Sequence, residues 1–423
     1  MQRRFIGLTA TIAALGLTAG LSGCGLTEGA AGDVTLKLVA ADYDLNGGDT
    51  TKKYWDELTA AYEAKHPGVQ VEVQVESWND VDRKVAEMVK AGQAPDIAQI
   101  GAYADYAAAG QLYSADELLS IPVQANFLAP LVEAGEHKRA QYGMPFAAST
   151  RLLFFNQDLF DKAGISRPPA TWDELAAAAE KLKDKDVKYP FALPLGPEEA
   201  QAETMMWLLS GGDGYTDGSD RYRIDSDLNI RTFDWLKTNL VQKELTGPVA
   251  PGKLNRKDAF AAFSRGEVGM LNGHPSLMQE AEKKGVKVGK VALPGADGKS
   301  KASMGVADWI MGFKQNGHRE GIGEFLDFVF SDENVLKFAG GNDLLPPTVS
   351  AYSRMENDEE HKDLREFLTE LPNSQLPPVG KTSWAQVSDS IKQNIGKAVT
   401  PGAKPEDVLG EIARKATAAE SAE

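Results

Sequence analysis

The sequence predicts an α/β protein built as two lobes joined by crossing strands. Strand-like and helix-like periodicities alternate from Val34 to Gly110. A later stretch, Tyr142 to Leu175, reads as a strand that leaves one lobe and enters another. In it the small residues Ala147, Ala148, Ser149 and Thr150 precede the apolar run Arg151-Leu152-Leu153-Phe154-Phe155. Finally, 423 residues are enough for two domains or one large one, with ample material for a core.

The elements follow in order. Val34–Ala41 alternates apolar and polar residues as a first strand. Tyr54, Trp55, Leu58, Ala61 and Tyr62 recur at helical spacing until His66-Pro67-Gly68 stops that helix. Val69, Val71, Val73 and Val75 make a second strand that ends at Trp78. Asn79 or Asp80 can cap a helix carrying Val81, Val85, Met88 and Val89 on one face. Pro95–Ile100 reads as a third strand. Strands alternating with helices predict a mostly parallel, doubly wound sheet, whose ligands sit beyond the carboxyl ends of the strands. That rule singles out Tyr43, Trp78 and Tyr103.

Pro168-Pro169 leads into Thr171-Trp172-Asp173-Glu174, where Thr171 and Glu174 have capping-box spacing and Trp172, Leu175, Ala179 and Leu182 form a buried stripe. Helices are predicted at about 198–210, 231–244 and 257–265, then a strand from Val268, a helix from Pro275 and a strand ending at Pro294. Trp309–Phe313 reads as another strand. Beyond Arg319 the pattern is helical, with Pro405 suited to a first helical turn.

The first residues have an export pattern. Arg3 and Arg4 precede an apolar stretch too short for a comfortable membrane span, followed by Leu21-Ser22-Gly23-Cys24. The tetrapeptide resembles the bacterial lipobox, in which the cysteine is lipidated. Residues 1–23 are therefore expected to be a lipoprotein signal peptide, Cys24 the lipidation site and 24–32 a Gly-rich tether. Cys24 is the sole cysteine, so no internal disulfide is possible.

A formal net charge of -16 repels phosphate backbones and disfavours nucleic acid as a partner. The five histidines lack zinc-ligand spacing, and nucleotide-binding and hydrolase motifs are absent, so no metal, cofactor or catalytic group is expected. Asp225–Asn229 begins like a calcium loop, but Ile230 stands where that loop needs glycine. Aromatic residues at strand ends and loop edges remain: Tyr43, Trp78, Tyr103, Trp207, Trp309 and Trp384. Such faces stack on sugar rings while neighbouring polar groups bond hydroxyls. Trp55 and Trp172 lie in apolar stripes and read as core.

Several segments together resemble the extracellular solute-binding proteins of ABC importers, in the carbohydrate-binding group that includes maltose-binding protein. They are Pro95-Asp96-Ile97 with Gly110-Gln111-Leu112, Met144-Pro145-Phe146 with Leu153–Phe160, Pro168–Leu175, Ala262–Met270, Leu293-Pro294 and the Trp384 helix. The resemblance implies a two-lobed periplasmic-binding-protein-like fold with a ligand cleft at the hinge. Lobe 1 would comprise 33–147 and 292–315, lobe 2 152–288 and 318–423, with crossovers near 147–151, 288–292 and 315–318. It further implies ligand contacts from Asp42, Tyr43, Asp44 and Tyr103 in lobe 1, beside Trp78, which the strand-end rule adds. Ser149 and Thr150 would contribute at the crossing, with Glu203, Trp207, Asn272, His274, Asp308, Trp309 and Trp384 completing the set. Ser149 stands where maltose-binding protein has an acidic contact, and His274 where the family usually has an aromatic.

The expected function is a lipid-anchored, monomeric receptor on the outer face of a bacterial membrane, passing a sugar or oligosaccharide to a permease and catalysing nothing. The same fold holding a polyamine, peptide or anion is the alternative, and a secreted glycoside hydrolase a remote one. Asp42, Asp44 and Asp49 crowd the Gly47-Gly48 helix start and disfavour an anion there.

Overall fold

A computed structural model of the chain describes residues 34–43, 49–78, 80–298 and 303–422. The signal peptide, Cys24, the tether and Asp44 lie outside the described residues.

The strands are β1 (Val34–Ala41), β2 (Val69–Glu76), β3 (Ile97–Ile100), β4 (Glu136–His137), β5 (Ala140–Gln141), β6 (Met144–Thr150), β7 (Leu152–Asn156), β8 (Tyr189–Phe191), β9 (Val268–Gly273), β10 (Val288–Val291) and β11 (Gly305–Gly312). One sheet has the order β2-β1-β3-β11-β6 and another β10-β7-β9-β8, while β4 and β5 form a small ribbon. β1 runs parallel to β2 and β3, and β8 parallel to β9. The remaining pairs are antiparallel, and the connections explain why. β6 ends beside the start of β11 (Thr150↔Gly305), so the chain leaves and re-enters the first sheet at the edge where β1 and β3 end. A strand that enters there must run against its neighbours.

The first sheet is covered by the helix Thr50–Glu63, which buries Tyr54, Trp55, Leu58 and Tyr62, with Trp55 stacked on Phe146 at 5.4 Å. In the second lobe Thr171 caps the helix Trp172–Lys183 by accepting from the Glu174 amide. The Glu174 carboxylate accepts from the Ala170 amide (2.8 Å), one residue earlier than a full capping box would have it. Trp172 is buried, as its stripe predicts, and its Nε1 donates to Ser210 Oγ (2.7 Å) and the Pro294 carbonyl (3.0 Å).

One domain expectation fails. Residues 318–423 do not all belong with the second sheet, and the chain does not cross over near 315–318. There Asn316 donates to the Ala94 carbonyl, and His318 Nδ1 lies 2.9 Å from Asp96 Oδ1, both groups of the first lobe. The helices Arg319–Val329 and Asp332–Gly341 bury Ile322, Phe325, Leu326 and Phe338 against Leu36, Leu38, Tyr54 and Tyr62. The amphipathic stripe is satisfied on the nearer sheet, so the chain returns later, where Gln375 pairs with the 303–305 segment. Helices Trp384–Asn394 and Pro405–Glu420 then pack into the second core through Val387, Ile391, Leu409 and Ile412. The expected helix near 231–244 begins earlier, at Asp227, because Ser226 caps it by accepting from the Asn229 amide.

Candidate functional site

Two polar faces form at the edges where the chain crosses between sheets. On the first, β1 delivers Tyr43, β3 delivers Gln99 and the start of β11 delivers Asp308. The Tyr43 hydroxyl donates to Asp308 Oδ2 (2.7 Å) and accepts from Gln99 Nε2 (2.9 Å), while Gln99 Oε1 accepts from the Ala41 amide (3.0 Å). Trp78 stands edge-on to the Tyr43 ring, centroids 5.4 Å apart. Burial lifts Asp308 to about 6 against the stabilising Tyr43 bond, and the Asp82 charge adds to the rise. Asp82 is itself raised by burial, opposed by the Ala102 and Gly101 amides. The face is acidic and aromatic, with Trp78, Tyr43 and Asp42 only partly covered.

On the second face, Glu203 Oε1 accepts from Trp207 Nε1 (2.8 Å) and Asn272 Nδ2 (2.9 Å). Burial raises Glu203 to about 7, these bonds lowering it and the Arg151 charge helping them. Beside it lies a charged network. Arg151, the residue between β6 and β7, donates from Nη2 to Glu199 Oε1 (2.6 Å). Arg256 Nε pairs with Glu199 Oε2 (2.6 Å), its Nη2 donates to Glu198 Oε1 (3.2 Å), and its Nη1 lies 3.2 Å from His274 Nε2. Burial, then the Arg151 and Arg256 charges, hold His274 well below the usual imidazole range, so its neutral ring can accept from Arg256. Arg151 Nε and Asn272 Oδ1 are buried without a protein partner. Such atoms are satisfied by water or a polar ligand.

The expected site residues divide accordingly. Asp42, Tyr43, Trp78 and Asp308 share the first face; His274 is half-buried at the second, where Glu203 and Asn272 are buried and bonded to each other. Ser149 is half-buried at the crossing. Trp384 is half-buried against Tyr215 (5.2 Å) beyond the second face, close in sequence to a cavity of about 540 Å³ lined by Glu136, His137, Asp220 and Lys381. Four expectations are corrected. Tyr103 is buried, its hydroxyl donating to the Ala134 carbonyl (2.6 Å) and its ring against Trp309 (5.3 Å). Trp309 is buried in the same cluster, and Trp207 is fully buried between Phe191 and Trp172. Thr150 spends its hydroxyl on the Phe367 carbonyl (2.9 Å). Gln99, Arg151, Glu198, Glu199 and Arg256 were not expected. Arg151 had a usable signal, a charge heading the apolar run Leu152–Phe155.

Among the described residues no group of three or more His, Cys, Asp or Glu could hold a metal ion, and no helix is long and apolar enough to cross a membrane.

Residues 47–336 match the family described as bacterial extracellular solute-binding protein. A protein of Brucella abortus (strain 2308) named as a binding protein is 29% identical over 393 residues, covering 90% of this chain and 92% of that one. An uncharacterised lipoprotein of Streptomyces antibioticus is 25% identical over 333 residues, covering 76% and 72%. The cyclic α-maltosyl-1,6-maltose binding protein from Arthrobacter globiformis superposes with a TM-score of 0.79 at 17% identity, covering 93% of this chain and all (100%) of that one. An ABC transporter solute-binding protein from Thermotoga lettingae bound with α-D-tagatose gives 0.74 at 20%, covering 92% and 100%. At these identities the structural likeness establishes the two-lobed fold. The family is one of binding proteins, and the chain belongs to it: it is a bacterial extracellular solute-binding protein.

Proposed function

We propose that the protein binds a sugar or oligosaccharide between its two lobes and delivers it to a membrane permease, acting as a monomer tethered through a lipid on Cys24. The observation that carries this reading is the pairing of faces at the crossing edges. Tyr43 and Trp78 offer aromatic surface beside the partly covered Asp308, and on the second face the partly exposed Glu198, Glu199 and His274 offer polar groups. Rings and hydroxyls of a saccharide call for that combination. Ligand that touches both faces favours the closed arrangement, which is how binding is signalled to a permease. The first lobe comprises 34–150 with 305–341, the second 152–291 with 384–422.

A cationic solute is the second reading, favoured by the carboxylates Asp82 and Asp308 on the first face. Thermal denaturation and titration calorimetry against a panel of mono- and oligosaccharides, with spermidine as the cationic arm, test both. A saccharide that raises the melting temperature supports the first reading. Silence across the sugars with a response to spermidine would replace it with the second. Mass spectrometry of the exported protein for a diacylglyceryl adduct on Cys24 tests the anchor.

A further inference from the structure

The second face has the makings of an anion site. The helices Ala200–Gly211, Arg256–Ser264 and Pro275–Lys283 all begin there, with Glu199, Asn255 and His274 at their N-caps. Their aligned peptide dipoles bring partial positive charge to one place, and two guanidiniums add to it. Arg151 is only 7% exposed, its Nη2 is held within the cluster, and its Nε has no partner. An inorganic anion would suit such a place. Instead the chain supplies its own. Glu199 bridges Arg151 and Arg256. Glu198 accepts from Arg256 Nη2 and, through Oε2, from the Lys257 amide in the first turn of its helix (3.1 Å). Both glutamates keep about a quarter of their side chains exposed, 25% and 23%, so the network borders open space and is not sealed in the core.

We infer that Glu198 and Glu199 set the charge specificity of the cleft: as resident anions they neutralise Arg151 and Arg256 and reserve the site for uncharged, unphosphorylated ligands. The arginines remain as hydrogen-bond donors but offer no net positive charge to a phosphoryl group. On the first face, Asp82 and Asp308 repel the same group. The binding location rests on the reading under Proposed function; the charge assignment does not.

The test compares the wild-type protein with Glu199→Gln, titrating sodium phosphate, glucose 6-phosphate and the saccharide panel by calorimetry at low salt. Wild type is expected to give no heat with phosphate or glucose 6-phosphate. Glu199→Gln leaves Arg151 without its carboxylate partner and Arg256 with Glu198 alone, and is expected to bind phosphate at least about tenfold more tightly than wild type, the gain of one charge-assisted contact. If the variant does not fold by circular dichroism, Glu198→Gln carries the same comparison, since it removes the negative charge that Arg256 Nη2 and the Lys257 amide share. Phosphate binding to wild type, or no gain in a folded variant, overturns the inference. A panel that is silent towards every saccharide overturns the sugar reading while leaving the phosphate comparison standing.

Discussion

The Tyr43 hydroxyl reaches across 265 residues of sequence to donate to Asp308 Oδ2 at 2.7 Å, joining the end of the first strand to the strand by which the chain returns from the other lobe. The carboxylate is half-buried, and this bond stabilises its charged form. Tyr43→Phe removes the donor and also leaves Gln99 Nε2 without its acceptor. Unfolding in urea is expected to show a loss of about 1–3 kcal/mol, with ligand affinity falling alongside. An unchanged midpoint would mean that water replaces the hydroxyl.

Glu203 makes stability depend on pH. Burial raises it to about 7, so the folded protein keeps this proton where the unfolded chain has lost it. Its contribution is complete below the ordinary carboxylate range and disappears as pH rises to about 7. Glu203→Gln can still accept from Trp207 and Asn272 and should abolish that loss. Stabilities from urea unfolding at pH 4, 5, 6, 7 and 8 are expected to converge towards pH 4 and to favour the variant by on the order of 3 kcal/mol above pH 7. Parallel curves would show that the carboxyl titrates alike in both states.

Trp78 and Trp309 should separate binding from stability. Trp309 is buried against Tyr103, whereas Trp78 is partly open beside Tyr43. Trp309→Ala is expected to cost about 3–5 kcal/mol in stability. Trp78→Ala should lose at most about half as much stability but most of the calorimetric response to saccharide. Equal effects on both readouts would dissolve the distinction.

Arg151→Met tests the network at the crossing. It leaves Glu199 with Arg256 as its remaining cationic partner. A loss of about 3 kcal/mol is expected from breaking a largely buried pair on one side, and Arg151→Met with Glu199→Gln should recover part of it. Strict additivity in the double variant would mean the two residues do not communicate.

Local chemistry was legible in the sequence wherever one segment decides the outcome. The β2 alternation, the Thr171 cap and the buried Trp55 and Trp172 all follow from short-range pattern. Failures came where a distant partner decides. An aromatic just past a strand end reads the same whether it faces a cleft or a core. Tyr103 and Trp309 are core because each has the other to pack on, 206 positions away in the numbering. Arg151 and Arg256 meet through Glu199, far from both in the chain, so no spacing announces them. The stripe on 319–341 declares a buried face but not which sheet buries it.

The three passages between the sheets lie side by side. Thr150 pairs with Gly305 as the outgoing and returning strands meet, Ala148 exchanges backbone hydrogen bonds with Leu345, and Gln375 bonds both Ser303 and Gly305. Sliding one lobe along the other would shear every one of these bonds together. Bending the strip breaks none. If the lobes close on the ligand proposed above, bending along this strip, like the covers of a book on one spine, is the motion that keeps these bonds.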